Sequence, residues 1–361
     1  MRNTPSPVIA LACIFSIAAL LTAPAAVAQT PADDDLQEAI DACRALEEPA
    51  RRLACYDALP GSSVTGLEEL AEIQAGERPP LTDEAATRPV PPDAPVPITR
   101  SPMLRHWELD DATHGGLFRF RRHEPVYLLP ARWSSRTNPM PSSPSFPADR
   151  RLELDPVEVK FQVSLKTKLA DNLFGDNGDL WFGYTQQSNW QAYNGVESEP
   201  FRETNYAPEL FATWRIGAQL PGGWRWQMLN AGFVHQSNGR TEPLSRSWNR
   251  VYALIGLENG GWQLLLRPWL RVDRGSDDNP DIEDYLGHGD LRLIRRVRRH
   301  DFALTARYAA GENRGAVQFD WHYPLKGDLK AYLQIFHGYG ETLVDYNHRQ
   351  TTVGIGVSLV Q

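Results

Sequence analysis

The stretch Val159-Lys160-Phe161-Gln162-Val163-Ser164-Leu165-Lys166-Thr167-Lys168-Leu169 decides how this chain is read. Val159, Phe161, Val163, Leu165 and Leu169 are all odd-numbered, whereas Lys160, Gln162, Ser164, Lys166 and Lys168 are all even. A helix would scatter those lysines around its surface; a strand puts them all on one face. The same alternation returns in Leu180/Phe182/Tyr184, Leu210/Ala212/Trp214/Ile216, Val251/Ala253/Ile255/Leu257 and Trp262/Leu264/Leu266. It continues in Phe302/Leu304/Ala306/Tyr308, Val317/Phe319/Trp321/Tyr323, Leu329/Ala331/Leu333/Ile335 and Val353/Ile355/Val357/Leu359. Each partner face carries Arg, Lys, Gln, Thr, Asp or Gly.

Connections between these segments alternate in length. Tight ones fall at Pro221-Gly222-Gly223, Asn259-Gly260-Gly261, around Arg299 and at Lys326-Gly327-Asp328, and long ones at 191–205, 238–248, 274–286 and 338–349. Short turns on one rim and long loops on the other describe an all-β fold, an antiparallel transmembrane β-barrel of about twelve strands. A soluble up-and-down barrel would alternate similarly, with its apolar face inward. An N-terminal secretory signal, the number of strands and the loop asymmetry favour the membrane barrel. The ending Leu359-Val360-Gln361 lacks the terminal aromatic residue common in such barrels.

Composition fits once alternation is recognised. The chain has 361 residues, 42% hydrophobic and 23% charged, and its mean hydropathy of −0.44 would by itself suggest a soluble protein. Only every second residue of a membrane strand must be apolar, so the average understates the lipid-facing surface. A formal charge of −8 argues against a nucleic-acid partner.

Residues 1–28 run from Arg2 through an apolar stretch to Ala26-Val27-Ala28 and read as a signal peptide. Cys13 lies inside it, leaving Cys43 and Cys55 in a segment with apolar residues at helical spacing. That segment reads as a small helical hairpin stapled by one disulfide, with a Cys-based metal or redox site as the alternative. Prolines 79, 80, 89, 91, 92, 95 and 97 then mark an extended spacer. The expected organisation is a signal peptide at 1–28, a small helical periplasmic segment at 29–76, a Pro-rich linker and barrel lead-in at 77–124, and the barrel at 125–361.

Polar residues interrupt two lipid-facing rows. Leu229, Ala231 and Phe233 are followed in the same parity by His235 and Ser237, and Asn249 precedes Val251, Ala253, Ile255 and Leu257. A hairpin closed by 238–248 brings these ends together at the long-loop rim. A hydroxyl nucleophile, an imidazole and a neutral amide converging there suit Ser237 as nucleophile, His235 as general base and Asn249 as the group that orients the imidazole.

The run His235-Gln236-Ser237-Asn238-Gly239-Arg240, followed by Ser245-Arg246-Ser247-Trp248-Asn249-Arg250, resembles the outer-membrane phospholipase A family. Tyr184-Thr185-Gln186-Gln187-Ser188, Pro200 through Tyr206, Asp277 through Ile282 and Gly338 through Tyr346 extend the resemblance over roughly residues 125–358. It implies a calcium-dependent hydrolase of phospholipid acyl esters, A1/A2 in specificity, activated by homodimerisation in the outer membrane. Its active site would lie at the outer-leaflet rim, and membrane phospholipids would be its substrates. By motif position, Gly239 would donate its backbone N–H to the oxyanion. Ser198, Arg240 through its carbonyl, and Ser245 would bind Ca2+ in the dimer, Ser198 coming from the other subunit. Asp278 would serve the monomeric form, and Gln186 would lie at the dimer interface. Gln236 and Glu197 depart from the family's pattern, and the segment with Cys43 and Cys55 lies outside it. The alternative reading is a non-catalytic barrel or channel.

Overall fold

The computed structural model describes residues 101–196, 201–272 and 277–359. The signal peptide, the Cys43/Cys55 segment, nearly all of the Pro-rich stretch and Ser198 lie outside the described residues. Strands β1 (Phe120–Arg122), β2 (Val126–Ser134), β3 (Val157–Ala170), β4 (Asp179–Trp190), β5 (Phe201–Gln219), β6 (Arg225–Ser237) and β7 (Ser247–Asn259) come first. They are followed by β8 (Trp262–Arg271), β9 (Gly289–Val297), β10 (His300–Ala309), β11 (Arg314–Lys326), β12 (Leu329–Tyr339) and β13 (Arg349–Leu359). Helix α1 (Pro102–Trp107) precedes the strands, and α2 (Glu283–Leu286) lies between β8 and β9.

From β2 onward each strand pairs antiparallel with its sequence neighbours, and β13 pairs back onto β2, so the sheet closes. The short β1 and the longer β2 pair with successive parts of β3, at Leu165–Thr167 and at Val157–Gln162, and so form one interrupted barrel strand. The result is the expected closed 12-stranded antiparallel barrel. No described helix is long and apolar enough to cross a membrane; the strands cross instead, with every ladder bond made inside the closed sheet.

Strand β3 settles which way the alternation points. Lys160, Lys166 and Lys168 are 1%, 0% and 0% exposed, while Val163 is 46% exposed. Lysines inside and Val163 outside invert the arrangement of a soluble barrel. Ions taken out of water need partners, and the lumen supplies them: Lys160 Nζ lies 3.0 Å from Glu341, Lys168 Nζ 2.6 Å from Asp179, and Arg267 2.7 Å from Asp290.

Residues 101–109, within the stretch that reads from sequence only as a lead-in, pack into the short-turn end of the barrel. Ser101 caps α1 by accepting from the Leu104 N–H at 3.1 Å and donates its own hydroxyl to Glu258 of β7. The Met103 N–H donates to the same carboxylate at 3.1 Å. Met103 fits because residue 256 is glycine: a Cβ there would stand 2.6 Å from its sulfur. Trp107 packs edge-on to Phe211, and Lys166 Nζ sits 3.7 Å from the Trp107 ring centroid, a cation–π contact. Toward the long-loop rim Trp248, Trp269, Ile282, Leu286, Leu343 and Tyr346 belong to the same apolar cluster. A polar cavity of about 290 Å³ remains in the lumen, lined by Glu209, Arg250, Arg267, Asp290, Arg307 and Asp320 among others.

Candidate active site

The β6–β7 ladder places His235 directly opposite Asn249, and Ser237 opposite Ser247. Asn249 Oδ1 lies 2.7 Å from His235 Nδ1. An amide oxygen can only accept, so Nδ1 carries the ring proton and Nε2 is left as the basic atom. Ser237, two residues along the same strand, projects from the same face as His235. The row continues sideways: Ser237 is paired with Tyr206 of β5, Tyr206 with Gln186 of β4, and Gln186 with Val163 of β3. Gln186 is linked along its own strand, accepting from the Tyr184 hydroxyl at 3.0 Å and donating to Ser188 Oγ at 3.3 Å. A hydrogen-bonded polar run therefore lies along β4, two strands from the serine in the same register row.

The opposite face of the hairpin holds the register. Gln236 Oε1 accepts from Trp248 Nε1 at 3.0 Å and from Arg250 Nη2 at 2.8 Å, clamping both neighbours of Asn249. The Arg250 guanidinium lies 3.9 Å from the Trp248 ring centroid and 5.2 Å from that of Trp269. Gln236, which departs from the family pattern, thus has a definite structural place.

The loop from 238 to 246 turns on Asn238, only 3% exposed. Its Nδ2 donates to the Leu244 carbonyl at 2.8 Å and to Glu203 at 3.3 Å, while its Oδ1 accepts from the Arg246 and Arg240 N–H groups at 2.9 and 3.3 Å. The backbone on either side of Gly239 is held by these bonds. Gly239 itself has φ 62°, and a Cβ there would approach the Tyr206 ring at 3.2 Å. Left-handed backbone and a close aromatic wall both require glycine.

Two of the four candidate metal-ligating residues are in contact. Ser245 Oγ donates to Asp278 Oδ2 at 2.6 Å, and Ser247 Oγ approaches the same oxygen at 3.4 Å. The segment 277–279 is pinned beside them, because the Ser247 N–H donates to Asn279 Oδ1 at 2.9 Å and Arg271 pairs with Asp277 at 2.6 Å. Arg240 follows Gly239 on the loop, its Nη1 donating to the Arg202 carbonyl at 2.9 Å. No group of three or more His, Cys, Asp or Glu occurs that could hold a metal among the described residues. The oxygens brought together here are the Ser245 and Ser247 hydroxyls and the Asp278 carboxylate, hard donors of the kind a calcium ion takes.

A family model described as phospholipase A1 matches residues 103–359. The chain belongs to the phospholipase A1 family. A relative from Neisseria meningitidis is 40% identical over 345 residues, covering 87% of this chain and 89% of that protein. Phospholipase A1 of Escherichia coli K12 is 41% identical over 202 residues, 56% of this chain and 69% of its own length. Among solved structures, outer membrane phospholipase A from Escherichia coli superposes with TM-score 0.62 at 35% identity, covering 67% of this chain and 94% of that one. A Salmonella typhi outer membrane phospholipase, crystallised as a dimer with bound calcium, gives TM-score 0.63 at 35% identity, covering 69% and 94%.

Within this phospholipase A1 family member, sequence reasoning missed Asn238, Glu203 and Arg202, whose guanidinium bonds Glu158 at 2.9 Å and Asp345 at 2.7 Å. Asn238-Gly239 reads only as a turn signal until the partners of the side chain are known. Glu203 accepts from Asn205 at 2.7 Å and from the Val344 N–H at 3.0 Å, joining the 238–246 loop to the 340–348 loop. Nothing in the local sequence announces a contact across that separation.

Proposed function

We propose that this chain is a calcium-dependent phospholipase of the Gram-negative outer membrane, active as a homodimer, that hydrolyses acyl ester bonds of phospholipids. The hydrogen bond from His235 to Asn249, with Ser237 on the same outward face, carries this reading. Ser237 Oγ attacks the ester carbonyl carbon as His235 Nε2 takes its proton. The Nδ1–H bond to Asn249 holds the ring in the required tautomer and favours the imidazolium that forms. The Gly239 N–H faces the oxyanion of the tetrahedral intermediate. Collapse breaks the bond to the glycerol oxygen, which leaves with the proton from His235 as the lysophospholipid. Water then attacks the acyl-serine with His235 again as base, releasing the fatty acid and restoring Ser237.

Ser245, the Arg240 carbonyl and Ser198 of a second copy would hold Ca2+ in the dimer, with Asp278 serving the monomer. When bound, the ion supplies positive charge beside the developing oxyanion. A site with few carboxylates binds calcium weakly and depends on its ligands being assembled, which makes association a natural gate. Gln186, in the same register row as Ser237 two strands away, is the position through which the second copy would be recognised. Residues 29–76 belong to the periplasmic side on the same reading.

The lumen opposes the channel alternative. Residues 101–109 pack into its short-turn end, and Leu286 and Leu343 pack toward the other. The deciding experiment measures fatty-acid release by purified protein in detergent, with calcium and with chelator. Activity is expected only with calcium and only while Ser237 is intact. Hydrolysis that survives Ser237→Ala overturns the proposal, as does ion conductance in planar bilayers without hydrolysis.

A further inference from the structure

The rim opposite the active site carries an arginine cluster that the hydrolytic reading leaves unused. Arg292, Arg295, Arg296, Arg298 and Arg299 fall within the end of β9 and its turn into β10, in a chain whose net charge is −8. The pleat divides them. Arg292 turns inward to Glu124 at 3.1 Å, and Arg296 lies 3.6 Å from Asp301, which Lys330 also engages. Arg295 has the opposite parity, that of Leu291 and Val297, which are 36% and 41% exposed on the lipid-facing row. Arg298 and Arg299 form the exposed turn itself.

A charge on a lipid-facing row needs a reason, and the neighbours of Arg295 suggest one. It is paired between Trp262 of β8 and Phe302 of β10, and Phe302 is paired with Trp321 of β11. Its guanidinium is held 4.8 Å from the Trp262 ring centroid, and one nitrogen donates to the Gly260 carbonyl at 2.8 Å. Arg299 is held 5.3 Å from the Tyr323 centroid. His300 stacks on Phe302 and accepts from Trp321 Nε1 at 3.0 Å, which fixes the aromatic floor. In the neighbouring turn the acidic Asp328 is engaged by Arg122 at 3.6 Å. Interfacial aromatics with guanidiniums just beyond them match the two ends of a phospholipid: acyl-glycerol against rings, phosphate against planar donors.

We propose that the β9–β10 end of the barrel is a headgroup site for an anionic phospholipid of the membrane leaflet facing the short-turn rim. Arg295, Arg298 and Arg299 take the phosphate oxygens, and Trp262, Phe302 and Trp321 receive the upper acyl chains. The site rests on the reading of this chain as a membrane barrel whose short turns face the periplasm, but not on its catalysis. The lipid is bound there without being cleaved, on the rim remote from Ser237.

Ser237→Ala full-length protein in neutral detergent keeps added lipid intact and separates this proposal from the hydrolytic one. Native mass spectrometry would count bound phosphatidylglycerol and phosphatidylcholine at equal supply. Phosphatidylglycerol should be retained preferentially, by about fivefold for each arginine that contributes. The preference should vanish in Arg295→Gln/Arg298→Gln/Arg299→Gln and persist in part in the corresponding triple Lys variant. Inorganic phosphate should not displace the lipid. A second readout needs no arginine variant: brominated phosphatidylglycerol should quench tryptophan fluorescence more than brominated phosphatidylcholine, and Trp262→Phe should reduce that difference. Equal retention of the two lipids, retention unchanged in the folded triple Gln variant, or displacement by inorganic phosphate would each overturn the proposal.

Discussion

At the scale of single residues, the hairpin from β6 to β7 ranks its own members. His235 Nε2 takes and returns every proton in the proposed cycle, so His235→Ala should remove the about 10²–10⁴-fold that general acid–base catalysis contributes. Asn249 acts through the imidazole by one 2.7 Å hydrogen bond, and Asn249→Ala should cost less than His235→Ala. Both losses should appear in kcat rather than KM, measured as fatty-acid release at saturating substrate. An Asn249→Ala enzyme as impaired as His235→Ala would show that the amide does more than orient. Gly239→Ala is the backbone counterpart. A methyl at φ 62°, 3.2 Å from the Tyr206 ring, costs about 1 kcal/mol or more in strain and tilts the oxyanion N–H, so activity should fall more than thermal stability does. The shared outward face of His235, Ser237 and Asn249 was legible in the sequence because parity carries the lipid-facing rows of β6 and β7 through them and the hairpin between those strands brings the row ends together. Asn238 was not: an Asn before Gly has an ordinary role in a turn, and its importance comes from Glu203 and Leu244 standing around its amide.

At the scale of elements, the strands and α1 differ in what made them readable. Period two is legible in most strands because lipid outside and ion pairs inside impose opposite demands on successive residues, and it changes phase only at bulges such as the one between Leu129 and Arg132 of β2. Lys160, Lys166 and Lys168 on β3 belong to a buried face that only a closed, networked lumen can supply. Helix α1 has six residues, too few for a period to emerge, and its hydrogen-bond partner Glu258 is contributed by the far end of β7. Its role is visible only once Gly256 is seen to leave room for Met103. Met103 is 2% exposed, so Met103→Ala should open a cavity and cost about 2–5 kcal/mol. The check is the temperature at which the folded band on a semi-native gel converts to the unfolded one. Activity per folded molecule should be retained, because the helix plugs the end of the barrel away from Ser237. A plug that instead relays to the active site would lower specific activity without lowering that temperature.

At the scale of the whole molecule, one ionic network ties the long-loop rim together and sets how the protein meets acid. Arg132 bonds Glu158 at 2.9 Å and Glu341 at 2.5 Å, and Arg202 bonds Glu158 at 2.9 Å and Asp345 at 2.7 Å. These contacts join β2, β3 and β5 to the 340–348 loop, which Glu203 in turn connects to the loop bearing Gly239. Burial acts to raise the Glu341 carboxyl, but Arg132, Lys160 and Arg202 outweigh it and hold it below its ordinary value. Asp345 is likewise pushed up by burial and drawn down further by Arg202. A carboxyl with a lower pKa in the folded chain than in the unfolded one stabilises the fold above the unfolded value, about 4.3 for Glu and 3.9 for Asp. That contribution is lost as pH falls through the folded value. What these two carboxyls contribute to thermal stability should therefore hold from neutral pH down to about 5 and fade below about 4. Salt should soften the decline little, because the pairs are buried and poorly screened. Glu341→Gln leaves Arg132 and Lys160 facing a neutral amide, so at pH 7 it should cost about 3–5 kcal/mol. It should also make the acid limb shallower, since one of the titrating groups has gone. Unfolding temperatures of the parent and Glu341→Gln at pH 7, 5 and 3 test both statements together, and parallel acid limbs for the two proteins would remove Glu341 from the account.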